Sequence, residues 1–306
     1  MMASDLVEIL CAAHLGNLVE GPFSERGGIM LVGPPGVLKT TFVSTLDVQY
    51  QDALMVSDIN VKSLIRMRDA IAAGKVNTLV LPELAKVYER ADVTSKNVEG
   101  TLRALAAEGF SAASFEDSRI NRLTARALII AGLVPSLVES HFSAWEESGY
   151  NRRFLWSLIR LKDPTALEKA AVNWARIDFR VKHIPLVPLG SKIPNLTTQR
   201  ERQRLAVMVK HQPGGDHAIQ IQLMTRILAV LRWWYTENGD DRNPMDVMER
   251  FGLSLGKNGT AMDLGPTPRA NLKMEEELIR HSAGSLLAHR RWNKDKVRKA
   301  NKKRKR

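Results

Sequence analysis

The chain has 306 residues, an ordinary globular composition and a net charge of +12, which gives room for one large α/β domain plus a smaller one and excludes global disorder. Its single cysteine, Cys11, cannot close an intramolecular disulfide, no apolar run is long enough for a membrane span, and the start carries Asp5 and Glu8 rather than a basic leader. A cytoplasmic protein with neither signal peptide nor membrane anchor is expected.

Residues 4–18 read as an amphipathic helix, with Ser4 or Asp5 as N-cap and Gly16 near its end. A short apolar run from Gly28 to Val32 then enters the turn Gly33-Pro34-Pro35-Gly36-Val37-Leu38, and Lys39-Thr40-Thr41 opens a helical pattern. This is the strand, loop and helix order of a phosphate-binding loop. In such a loop backbone N–H groups and the positive end of the helix face phosphate oxygens, Lys39 reaches the β- and γ-phosphates, and Thr40 ligates Mg²⁺. One position departs from the G-x-x-x-x-G-K-[ST] pattern: Leu38 stands where the second glycine belongs, and its Cβ penalises the backbone geometry that glycine takes freely.

Helical and apolar runs alternate from here: a helix over 41–50, a strand over 53–57, a helix over 60–73 stopped by Gly74, and a strand over 78–83. That alternation is the βαβ signature of a parallel sheet covered on both faces. Glu83 closes the third strand, expected to lie beside the loop strand, and is placed either to hold Mg²⁺ or to activate a water. Glu89 is a substitute. A helix to about Glu108 precedes a short strand or hairpin over 110–115, and the run from Ala125 to Val134 is the next strand, with Ser136 facing the phosphates. A helix over 136–147 leads through Gly149 to Arg152-Arg153 and a strand over 154–161. Two arginines after a Gly turn are placed to meet the γ-phosphate of a neighbouring subunit.

The order Gly-Pro-Pro-Gly-x-x-Lys-Thr, Leu-Val-Leu-Pro-Glu, Ala-Leu-Ile-Ile-Ala-Gly-Leu-Val-Pro-Ser and Gly-Tyr-Asn-Arg-Arg-Phe resembles an AAA+ ATPase core of the divergent kind carried by phages and other mobile elements. The resemblance covers about residues 5–165. It implies a Walker A motif at 33–40, a Walker B motif ending at Glu83, a sensor region near 132–136 and an arginine finger at Arg153, with Arg152 as alternate. Leu38, Pro82 in place of an acidic residue, and the lack of a sensor asparagine depart from the family pattern and bear on turnover more than on fold.

The expected organisation is an α/β nucleotide-binding domain over 1–180, a Pro- and Gly-rich linker over 181–195, a helical lid over 196–253, a mobile loop over 254–271, and a C-terminal helix with a basic tail over 272–306. The first domain includes a helix over 164–177. The lid holds a charged helix capped by Thr197 or Thr198 and an apolar one over 216–236, whose Arg226 is the lid arginine that the resemblance places on the γ-phosphate. Trp233-Trp234-Tyr235 beside Arg232 are candidates for base stacking, although aromatic clusters at helix ends are commonly core.

Residues 290–306 hold eleven Lys/Arg against Asp295, so this tail carries +10 and the preceding 289 residues only +2. The tail cannot fold alone, and its charge suits nucleic-acid phosphates, with Trp292 as a possible stacking residue. Together these features point to an ATP- and Mg²⁺-dependent protein that assembles as a ring or filament and acts on nucleic acid, DNA above all, in phage-type replication, packaging or transposition. The alternative is a loader or scaffold that binds ATP and turns it over weakly. The seven histidines show no metal-ligand spacing, and no G-x-S-x-G or Cys/His constellation marks a covalent nucleophile.

Overall fold

Five apolar runs become the strands β1 (Gly28–Val32), β2 (Ala53–Met55), β3 (Thr78–Leu81), β4 (Leu128–Leu133) and β5 (Phe154–Leu161). The computed structural model describes residues 1–90, 92–110, 124–163, 187, 191–214, 217–255 and 260–262. A short sixth strand, β6 (Thr260–Met262), completes a sheet of order β2-β3-β4-β1-β5-β6 in which every pairing is parallel. Parallel strands need covered faces, and the helices supply them: α1 (Ala3–Leu15), α2 (Lys39–Gln49), α3 (Val61–Ala72), the single turn α4 (Ala85–Tyr88), α5 (Asp92–Ala106), α6 (Pro135–Glu147), α7 (Gln199–Val209), α8 (Ala218–Asn238) and α9 (Pro244–Gly252).

Period-2 alternation divides each strand between two cores. Ile29, Leu31, Val80, Ile130 and Leu155 pack with α1, α2 and α7 to α9, whereas Met30, Leu79, Leu81, Ile129 and Trp156 pack with α3, α5 and α6. Each such side chain, fully buried, contributes about 1.5–3 kcal/mol. Local signals fix several helix ends. Asn60 and Ser63 cap α3 reciprocally (2.9 and 3.0 Å), Thr198 and Glu201 do the same for α7 (3.2 and 2.8 Å), and Gly239 ends α8 at φ 63°.

Three expectations change. First, β3 is not the neighbour of β1, because β4 lies between them; the small residues Ala131-Gly132 suit β4 to this crowded centre. Second, α7 to α9 share one core with α1 and the sheet, in the same compact unit. The two acids of α1 are tied to them: Glu8 accepts from Tyr235 Oη at 2.5 Å and from Arg242 at 3.1 and 3.3 Å, and Asp5 accepts from Arg250 at 2.9 and 3.0 Å. Part of the expected linker joins this unit too, since Ile193 is buried and bridges Val19 in a parallel pairing. Third, the region expected to be a mobile loop contributes β6 and the 3₁₀ turn Leu253–Leu255.

The first part of the outer edge of β5, before β6 begins to pair at Ile159, is closed by side chains rather than by a strand. Gln212 accepts from Trp156 N at 2.6 Å and donates to Trp156 O at 3.2 Å, and Gln220 donates to Phe154 O at 2.8 Å, which satisfies backbone groups that an exposed edge would leave open. Most of the expected hairpin after residue 110, the helix over 164–177, the C-terminal helix, Trp292 and the basic tail lie outside the described residues.

Candidate functional site

The loop from Gly33 to Leu38 leaves the C-terminal end of β1, between β4 and β5 at the centre of the sheet. In open α/β sheets that edge is where ligands bind. Gly33 is required by packing, because a Cβ there would come within 2.5 Å of the Ile159 carbonyl oxygen and 2.8 Å of the Val37 side chain. Pro34, Pro35 and Gly36 are exposed, Gly36 at φ 81°, while Val37 is buried in the core. The loop is thus held at both ends and open in the middle.

Leu38 is, among the described residues, the one non-glycine residue with positive φ, at φ 62° and ψ 20°. It therefore takes the left-handed conformation that the phosphate-loop pattern assigns to glycine, at a cost of roughly 1–2 kcal/mol for an L residue. Its side chain packs against the core formed with α1 and α2, and that burial offsets the strain. Replacing Leu38 by alanine keeps the strain and removes the packing, so a loss of about 1–2 kcal/mol is expected by chemical denaturation. Leu38→Gly removes both and should be about 0.5–1 kcal/mol more stable than Leu38→Ala, the reverse of the order inside a helix.

Leu38 is also the N-cap of α2 and offers no side-chain cap to the first turn. The N–H groups of Lys39, Thr40 and Thr41 precede the first intrahelical donor, Phe42 N, which bonds Leu38 O at 2.9 Å. Such a helix end is suited to an anion. The Lys39 ammonium folds back over the loop, donating to Gly33 O at 2.6 Å and Pro34 O at 2.8 Å, and burial lowers its pKa from the usual lysine range. Thr40 and Thr41 are exposed on the first turn, and their carbonyls accept from Ser44 and Thr45.

Gly132 links this loop to the end of β3. A Cβ on it would stand 2.5 Å from the Pro82 carbonyl oxygen and 3.6 Å from Lys39 Cβ. The bare glycine lets the Pro82-Glu83 corner approach the start of α2 across the intervening β4. Glu83 is exposed at that corner, and its carboxylate is paired with Lys86 one turn on. Ser136 is exposed in the first turn of α6, following the same edge of β4. Among the described residues no three His, Cys, Asp or Glu side chains cluster as metal ligands.

The two arginine candidates lie elsewhere. Arg153 precedes Phe154, which pairs with Gly28 at the start of β1, so it is at the edge of the sheet opposite the loop. It is 5 % exposed, ion-paired with Glu108, and donates to Gly149 O at 2.5 Å; Arg152 beside it is exposed. Arg226 is 1 % exposed, donates to Arg26 O at 2.6 Å and lies 5.8 Å from the Phe23 ring centroid. Arg26 precedes β1 and Gly33 follows it, so the whole of β1, about 16 Å at ~3.3 Å per residue, lies between them and Arg226 does not reach the loop of its own chain. Trp234 and Tyr235 are buried core residues, Tyr235 under Arg242 at 4.5 Å, which leaves no free stacking face on either.

One hydroxyl, imidazole and carboxylate series does occur: His14 Nδ1 is 2.8 Å from Thr78 Oγ1, and Nε2 is 3.1 Å from Asp52. Thr78 is fully buried, so the series ties α1 to the starts of β2 and β3 and offers no nucleophile to a substrate. Asp52 is held at about 2 because, although burial raises it, bonds from His14 and Asn77 lower it further. No helix among the described residues is long and apolar enough to cross a membrane. A scan against protein-family models finds no match to the chain, and no curated protein matches it either.

Proposed function

We propose that the chain binds a nucleoside triphosphate, ATP by resemblance, at the loop over 33–41. The observation that carries the proposal is the conjunction at one corner of an uncapped helix N-terminus, a left-handed Leu38 before it and the Lys39 ammonium over the loop carbonyls. The first-turn N–H groups and the Lys39 ammonium are donors, and the matching ligand is rich in anionic oxygens. Lys39 would exchange its carbonyl partners for phosphate oxygens, Gly36 and the first-turn amides would line the phosphates, and Thr40 would hold Mg²⁺, whose charge offsets that of the phosphates. The AAA+ reading, nucleic acid as partner of the tail, and assembly into a ring or filament belong to this proposal and rest on sequence pattern.

The weakly hydrolysing variant of this reading is favoured by Glu83. Its pairing with Lys86 on an exposed corner gives no sign of the desolvated base that activates a water. We expect ATP binding to be measurable by calorimetry in the presence of Mg²⁺ while steady-state phosphate release stays slow. Glu83→Gln should reduce release by less than about tenfold, against the 10²–10⁴ typical of a general base. A loss above a hundredfold would restore Glu83 as the catalytic base, and absence of binding at millimolar ATP would remove the nucleotide reading altogether.

A further inference from the structure

At the edge of the sheet opposite the loop, four arginines from four segments of the chain converge: Arg26 before β1, Arg126 before β4, Arg153 before β5 and Arg226 on α8. They are linked through the backbone. Arg226 donates to Arg26 O at 2.6 Å, Arg126 donates to Glu108 O at 3.1 Å, and a Cβ on Gly27 would stand 3.3 Å from Arg153 O. Among the described residues one carboxylate, that of Glu108, forms an ion pair here, and it is taken by Arg153. The other acid nearby, Glu25, accepts from Ser24 at 2.7 Å and acts on Arg226 only through its charge. Arg26 has a neutral side-chain partner, Asn17 Oδ1 at 2.8 Å.

Buried donors without partners outnumber the acceptors here, of which Asn151 Oδ1 and Gln222 Oε1 stand on the same segments as Arg153 and Arg226. Arg126 Nε, Arg153 Nε, Arg226 Nε and Asn17 Nδ2 are buried without a partner. All four are donors. Buried polar groups are as a rule paired, and an orphaned one costs about 1–3 kcal/mol, more when charged. Burial, with Arg26 alongside, brings the Arg226 guanidinium down to about 9, and burial with Arg126 alongside lowers Arg26. Like charges gathered out of water with donors to spare call for an acceptor that is itself negative. Arginine forks match phosphate geometry in particular.

We infer that this corner is an oxyanion site, separate from the loop at 33–41, that takes a phosphate group through Arg26, Arg126 and Arg226 with Asn17 beside them. Arg26 and Arg126 are half-buried and form its accessible side, while Arg226 forms its floor. The phosphate can be a phosphodiester of a polynucleotide strand or part of a small phosphorylated compound.

The test uses the full chain and inorganic phosphate as probe. Thermal unfolding in phosphate should exceed that in chloride at equal ionic strength. The increment should persist in Lys39→Ala, which alters the loop, and disappear in Arg26→Gln/Arg126→Gln. Phosphate affinity should fall at least ~10-fold in the double variant, as expected for losing hydrogen bonds to a charged partner. A second arm measures fluorescence anisotropy of a single-stranded oligonucleotide with the Lys and Arg of 290–306 replaced by Gln, so that the tail does not mask the site. Binding that is lost on adding Arg26→Gln and Arg126→Gln assigns the site to a polynucleotide; a phosphate effect without oligonucleotide binding assigns it to a small compound. Equal stabilisation by phosphate and chloride in the native chain, loss of the whole increment in Lys39→Ala, or an undiminished increment in the double variant would each overturn the inference.

Discussion

Replacing Lys39 by alanine is expected to weaken ATP binding about 100-fold while leaving the fold nearly as stable as before. The two effects separate because of where the ammonium sits. It donates to Gly33 O at 2.6 Å and Pro34 O at 2.8 Å, and among the described residues it is in no ion pair. When it is removed, those carbonyls, on an open loop, return to water, so a stability change within about 1 kcal/mol follows. A bound phosphate, by contrast, loses its nearest fixed cation. Hydrogen bonds to charged groups contribute about 1.5–3 kcal/mol, and 2.7 kcal/mol corresponds to about 100-fold. Lys39→Arg should recover little, since the broad planar guanidinium does not occupy the place of a compact ammonium on a tight loop. Calorimetric titration with ATP and Mg²⁺, beside a denaturation curve, reads both quantities. An affinity within threefold of the native chain would mean that no triphosphate lies against this lysine.

The strands and most helices were legible because each carries its own period: β1 and β4 are continuous apolar runs, and α3 and α7 begin with reciprocal caps. Sheet order was not, because the placement of β4 between β1 and β3 is settled by pairings between residues about 100 apart in the chain, Gly28 with Ile129 among them. The union of the C-terminal helices with the sheet left a fainter trace. Asp5 and Glu8 stand on a largely apolar helix, and buried carboxylates require partners; nothing local says that those partners are Arg250 and Arg242. At the loop, the place of Lys39 at the start of α2 was readable from spacing alone. The conformation of Leu38 was not, because its left-handed φ depends on whether the core has room for the side chain. Arg153 and Arg226 stand in segments whose patterns suit surface or core equally, and only the packing of α8 over the start of β1 decides for burial. Arg26 and Arg126 gave no signal at all, since they meet only through the fold.

Gly132→Ala is expected to cost about 3 kcal/mol in the folded protein, at the upper end for overpacking. The added methyl would lie 2.5 Å from the Pro82 carbonyl oxygen, a distance no Cβ tolerates, and the neighbour is backbone rather than the end of a flexible side chain. Relief requires β3 and β4 to part at their C-terminal ends. Leu81 pairs with Ala131 in that ladder, so the strain falls on its last rung, and the Pro82-Glu83 corner moves away from the start of α2. The methyl would also touch the Lys39 stem at 3.6 Å, so ATP affinity should fall together with stability. Gly100→Ala in α5 provides the contrast: nothing lies within 4 Å of its Cβ, and a gain of about 0.5–1 kcal/mol is expected from helix propensity alone. Opposite signs for the same chemical change in the same chain would show that Gly132 is set by the crossing of Pro82 and Lys39. A Gly132→Ala protein as stable as the native chain would mean that β3 and α2 do not meet there, and with that the link between Glu83 and the phosphate loop would be lost.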